Sequence, residues 1–218
     1  GVYVAESRAW SNYTTRKYTL DGSIVWSKDH GDSCFKVIVH PNETQIITAG
    51  YEVTGGEART YAKSDGTNTV LQTPILTATR GLALYNDSGT VYYYFAGDYA
   101  GSINVCKMQG TSTIWSDDLH GASGLYDIAV DSAENIYVVG GVSGSVTTRK
   151  YNSARSSQWT DNHGATVYCI CVDNSGNVYT GGEVSSSVTT RKYNSSGTRQ
   201  LGLNHTATVR GICVDSDG

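Results

Sequence analysis

The sequence predicts an all-β protein of five related sheet-forming units, and three observations carry that reading. Its apolar segments are short, rich in β-branched and aromatic residues, and punctuated by Gly, Asn, Asp and Ser turns. A unit of about 44 residues recurs five times along the 218-residue chain. The C-terminal segment supplies the part of the unit that the N-terminus lacks.

Tyr occurs 16 times and Phe 2, while Gly occurs 25 times and Pro 2. This composition suits pleated strands joined by tight turns. No window of about 11 or more residues carries a helical period, and no apolar run approaches the roughly 18–20 residues of a membrane helix. The net charge is −4, from 16 basic and 20 acidic residues. That balance gives no positive field for nonspecific nucleic-acid binding. The five cysteines, Cys34, Cys106, Cys169, Cys171 and Cys213, are odd in number and contain no CxxC pair. They indicate neither a disulfide framework nor a zinc site.

The repeat reads in order as four strands. Strand A is an apolar run ending at a marker residue, as in IAVD at 128–131 and ICVD at 170–173. The markers are His40, Tyr85, Asp131, Asp173 and Asp215, at intervals of 45, 46, 42 and 42 residues. An Asx/Gly turn leads into strand B, as in NIYVVGG at 135–141 and NVYTGG at 177–182. Strand C is SVTTRKY at 145–151 and again at 187–193, with YTTRKY at 13–18 and the weaker EARTY at 57–61. Strand D follows a second turn and carries a Trp, as in LDGSIVW at 20–26. A four-stranded unit of this length, repeated, is a propeller blade.

In full copies a Tyr stands six residues after the marker, Asp131 to Tyr137 and Asp173 to Tyr179. Counting from Asp215 through Gly218 and on to Gly1, the sixth residue is Tyr3. The expected fold is therefore a single five-bladed β-propeller domain over 1–218, made of four-stranded antiparallel blades. Residues 209–215 are expected to act as strand A of the first blade, beside strands B, C and D from 1–30, and so close the ring and remove its exposed edges.

The pattern IAVD-x-x-x-N-x-Y-V-x-G, then a strand ending in Lys-Tyr, then a turn and Trp, resembles the SBBP/NHL-type bacterial β-propeller repeats over nearly the whole chain. The resemblance implies the propeller fold. It implies little about function, since such propellers serve as enzymes, lectins, sensors and docking platforms. Five blades also match the tachylectin-type lectins in number, without a lectin motif. The near identity of the last two copies fits recent duplication, as in phage or bacterial surface proteins, or a designed chain.

Several residues invite a chemical role. His30, His120, His163 and His205 recur in the D-to-A connection. WD-type propellers use a His there to hydrogen-bond strands, and neighbouring blades would hold such residues more than about 5 Å apart, too far for Zn–N bonds of roughly 2.0–2.1 Å. Trp26, Trp115 and Trp159 share one repeat position, filled in the other copies by Val70 or Leu71 and by Leu201; blade-to-blade packing is expected of them. The Asp-rich turns lack the ligand alternation of a calcium loop. Arg16, Arg149, Arg191, Lys17, Lys150 and Lys192 are expected as rim charges. No pair of carboxylates stands apart from the repeat, as a glycosidase would require, so no enzymatic activity, metal or cofactor is expected.

The remaining signal lies on the face that carries the D-to-A and B-to-C connections. Five residues before each marker stand Phe35, Arg80, Tyr126, Tyr168 and Arg210. The variable B-to-C connections add Trp10, Tyr13, Tyr51 and Tyr99. Aromatic and cationic residues at loops on a fixed scaffold fit a binding surface. The function expected is a monomeric binding or interaction scaffold for a glycan or protein. The alternative is a structural, virion or surface component, or a designed propeller, without a ligand.

Overall fold

In a computed structural model the described residues are 1–6, 13–30, 33–52, 55–72, 77–98, 104–119, 124–141, 147–183 and 189–215. All regular structure among them is β, in five antiparallel sheets. Two compact units result, Gly1–Asp117 and Asp118–Gly218.

The first unit holds three sheets. One is β1 (Val2–Glu6), β2 (Tyr13–Tyr18) and β3 (Ile24–His30). The second is β4 (Ser33–Val39), β5 (Gln45–Glu52), β6 (Gly55–Ala62) and β7 (Asn68–Gln72). The third is β8 (Ala78–Asp87), β9 (Thr90–Asp98), β10 (Val105–Gln109) and β11 (Ser112–Asp117). The second unit holds β12 (Leu125–Val130), β13 (Ile136–Gly140), β14 (Thr148–Tyr151) and β15 (Ser157–Asp161), then β16 (Val167–Val172), β17 (Val178–Gly182), β18 (Thr190–Tyr193) and β19 (Arg199–Leu203). Each sheet is a meander in chain order, so four of the predicted A–B–C–D repeats are each one sheet, and the first contributes its B, C and D strands. Residues 204–215 form no strand, and the first sheet has three strands among the described residues. The closing of that sheet by 209–215 remains a proposal.

The turns form as their residues dictate. Asp131 accepts the amides of Ala133 and Asn135 on Oδ1 and the Asn135 side chain and Tyr137 hydroxyl, at 2.8 Å each, on Oδ2. Asp173 repeats this with Ser175, Asn177 and Tyr179. One side chain thus satisfies a whole A-to-B turn, which explains the marker Asp and the Tyr six residues on.

Within each unit, consecutive sheets pack through strand D. Trp26 on β3 is 8% exposed and stacks on Tyr61 of the next sheet, with ring centroids 6.0 Å apart. Its indole N–H donates to the Lys63 carbonyl at 3.3 Å, and Lys17 donates to the same oxygen at 2.6 Å. In the second unit Trp159 stacks on Tyr193 at 5.4 Å, and Lys150 donates to the Ser195 carbonyl at 3.1 Å. The turn receiving each Trp carries a glycine with positive φ, Gly66 or Gly197, where a Cβ would stand within about 3 Å of the indole. The inter-blade role expected of the Trp position therefore holds within each unit.

Strand D reaches this geometry through a bulge. The ladder skips one residue before Trp26, Trp115, Trp159 and Leu201. The β6–β7 ladder has no such shift. There Leu71 is 3% exposed and Val70 39%, so Leu71 takes the burial.

The strand C cations correct the rim expectation. Lys107, Lys150 and Arg191 are 9%, 8% and 8% exposed. Lys107 and Lys150 lie over Tyr92 and Tyr137 at 3.9 and 5.1 Å. Both tyrosines belong to the lysine's own sheet, and the Lys150 ammonium also reaches the Ser195 carbonyl, because strand C is an inner strand of its sheet.

Candidate functional site

The candidate site begins with an irregularity in strand A. In all four sheets with a paired strand A, the A–B ladder skips one residue at the same repeat position. The skipped residues are Phe35, Arg80, Tyr126 and Tyr168. These are the residues five before the marker. A bulge adds one residue to one strand and re-aims its side chain out of the pleat. Arg210 holds the equivalent position in the segment after β19, where it is exposed.

The bulge presses the strand A backbone onto the end of strand B, where the sequence places glycine. A Cβ on Gly50 or Gly97 would stand 1.8 Å from the carbonyl oxygen of Ser33 or Ala78. On Gly182 it would stand 2.3 Å from that of Thr166. The glycines that close strand B thus make room for the bulge.

In the first unit, Arg80 lies over the Phe35 ring at 5.5 Å. Its Nε and Nη2 donate to Asp98 Oδ2 at 2.9 and 2.6 Å. Phe35 and Tyr51 are 44% and 38% exposed. Behind them a small cavity of about 20 Å³ is lined by Ser33, Cys34, Thr48, Gly50, Glu57 and Arg59, among others. Burial pushes the Cys34 thiol up to about 11, which makes it a poor nucleophile there.

In the second unit, Tyr126 and Tyr168 meet edge-to-face, with centroids 4.9 Å apart. The Arg210 guanidinium lies 4.6 Å from the Tyr168 ring centre. The Tyr168 hydroxyl donates to Glu183 Oε1. That hydrogen bond, with burial, raises the phenol pKa above its ordinary value. Val209, beside Arg210, anchors the segment. Its amide donates to the Gly182 carbonyl at 2.9 Å, and its side chain lies where a Cβ on Gly181 would be.

The structure therefore brings together Phe35 with Arg80, and Tyr126 with Tyr168 and Arg210. Tyr51, the next-to-last residue of β5, pairs with Ser33 of the Phe35 strand. Tyr13 begins β2, but its side chain lies outside the described residues, as do Trp10 and Tyr99. The sequence reading missed Asp98 and Glu183. Both directly follow the last glycine of strand B, in AGD at 96–98 and GGE at 181–183, and both hold a bulged residue. An acid at that repeat position was the signal.

The histidine connection is structural at His163, while His205 is exposed. His163 is 7% exposed. Its Nε2 is hydrogen-bonded with the Tyr193 hydroxyl at 2.9 Å and the Thr180 hydroxyl at 3.0 Å. Tyr193 and Arg191 both donate to Asp161, the latter at 2.6 Å. Asp161 belongs to one sheet, and Thr180, Arg191 and Tyr193 to the next, so the network ties consecutive sheets. The side chain of His30 and all of His120 lie outside the described residues.

No family model matches the chain. No curated protein matches it either. Solved structures do. A chain of the mitotic checkpoint complex aligns with TM-score 0.70 and 15% identity, over 94% of this chain and 61% of that one. The Dos1 propeller aligns with TM-score 0.63 and 10% identity, over 93% and 56%. A protein of unknown function from Bacteroides caccae aligns with TM-score 0.62 and 12% identity, over 93% and 81%. This chain thus spans under two thirds of the first two. At these identities the likeness shows the fold alone, and that fold is a β-propeller, with each of the five sheets a blade.

Proposed function

We propose that this chain is a non-enzymatic binding module whose ligand, a glycan or a protein, sits on the face where strand A begins. The observation that carries the reading is the repeated strand A bulge. A bulge interrupts ladder pairing, and bulges concentrate next to functional sites. Here four blades keep one at the same position and each time project an aromatic ring or a guanidinium. The B-to-C connections, which differ most between repeats, start from the adjacent end of strand B.

A second reading, an architectural protein without a ligand, is favoured by one observation. The residues at this repeat position already contact each other, as in Arg80 on Phe35 and Arg210 on Tyr168. A glycan array and a pull-down with the folded chain separate the readings. Saturable capture of one glycan class or one protein supports the binding module. A folded, monodisperse chain that captures nothing in either format supports the architectural reading.

A further inference from the structure

We infer that the Tyr126, Tyr168, Glu183 and Arg210 cluster takes an acidic sugar, with its carboxylate on Arg210 and a ring hydroxyl on Glu183. This rests on the glycan version of the function proposed above.

The usual expectation for exposed tyrosines is a sugar stacked flat on the ring. Tyr168 does not offer that surface toward Arg210, because the guanidinium already lies over its ring at 4.6 Å. Stacking uses the face of the guanidinium and leaves its in-plane N–H donors at the rim. Arg210 is exposed, so those donors are open to solvent.

The comparison with Arg80, at the same repeat position, is direct. Arg80 also lies over an aromatic ring, but two of its nitrogens bond Asp98. Arg210 instead packs on the Tyr168 ring, and among the described residues no carboxylate bonds it. Its charge is therefore available for an anion, and a planar fork fits a carboxylate best. The nearby acid, Glu183, spends Oε1 on the Tyr168 hydroxyl. It would repel a second carboxylate and accept a hydroxyl donor on Oε2. One tyrosine thus holds a cation against its face and an acceptor at its hydroxyl. The complementary ligand carries one carboxylate and neighbouring hydroxyls within the span of a hexose, as uronic-type sugars do.

The test is a saturation-transfer NMR titration with methyl glucuronide and methyl glucoside, on the intact chain and its R210Q and E183Q variants. The charged sugar is expected to bind about tenfold more tightly than the neutral one, the worth of one added charge-assisted contact. R210Q should abolish that preference, and E183Q should weaken the neutral sugar more than the charged one, because it removes the hydroxyl acceptor for both and the repulsion of the carboxylate for the charged sugar alone. Equal binding of the two sugars, or a preference that survives R210Q, overturns the inference and leaves the glycan reading standing. If neither sugar binds and a glycan array is also empty, the glycan reading falls with it. Circular dichroism and melting temperature of each variant confirm that the loss is not unfolding.

Discussion

His163 shows how a single buried side chain ties stability to pH. Burial disfavours its charged form, the Arg191 cation adds to this, Asp161 opposes it, and Arg199 adds to it again. Together they lower the pKa from 6.5 to about 4. The unfolded chain therefore binds a proton near pH 6.5 that the folded chain refuses until about pH 4. The contribution is complete above that window and is lost as pH falls through it, on the order of 2–3 kcal/mol. Asp161 adds a loss at lower pH. Burial opposes its ionisation, but the hydrogen bonds from Tyr193 and Arg191 outweigh that and hold its pKa below the usual value. Melting temperature should thus fall steeply from pH 7 to pH 4. A H163Q variant, less stable at pH 7, should show a flatter profile, and an unchanged slope would refute the assignment. At the same scale, Gly97→Ala should destabilise by about 1–3 kcal/mol or more, since the added methyl meets the Ala78 backbone. Gly211→Ala, with nothing within 4 Å, should stay within about 0.5 kcal/mol. Urea unfolding of both variants checks the contrast.

The strand is the scale at which sequence reading worked best and then stopped. Short apolar runs, Asx turns and a recurring Lys-Tyr placed the A, B, C and D strands of four sheets and the B, C and D strands of the first. The Trp position also read correctly as inter-blade packing at Trp26 and Trp159. The bulges did not read, because an inserted residue leaves no mark on a pattern of period two beyond a shift of phase. Phe35, Arg80, Tyr126 and Tyr168 were found by repeat alignment, yet what makes them special, their place outside the ladder, needed the register. Asp98 and Glu183 were hidden for another reason. Each lies one residue past a glycine, and their role depends on the side chain opposite. At this scale Trp26→Ala should cost about 3–5 kcal/mol, since it removes the stack on Tyr61 and the contact with Gly66. Leu201→Ala, at the same repeat position but 46% exposed, should cost about 1 kcal/mol or less. Comparable losses in thermal denaturation would contradict the packing account.

At the level of the whole molecule, the repeat runs unbroken in sequence across Asp117 and Asp118, where the two compact units meet in the chain. The proposal of one domain then predicts a single calorimetric transition, with calorimetric and van't Hoff enthalpies in agreement. Two resolved transitions would mean that the units fold independently. The central claim concerns the face of the bulges. It is tested most directly by capture of the array or pull-down ligand by the intact chain and by a Tyr126→Ala, Tyr168→Ala, Arg210→Ala triple variant of matched fold. All three side chains are partly or fully exposed, so the variant should keep its fold. The account predicts at least about a hundredfold loss of affinity, from the removal of several direct contacts. Unchanged affinity in the folded triple variant would contradict it.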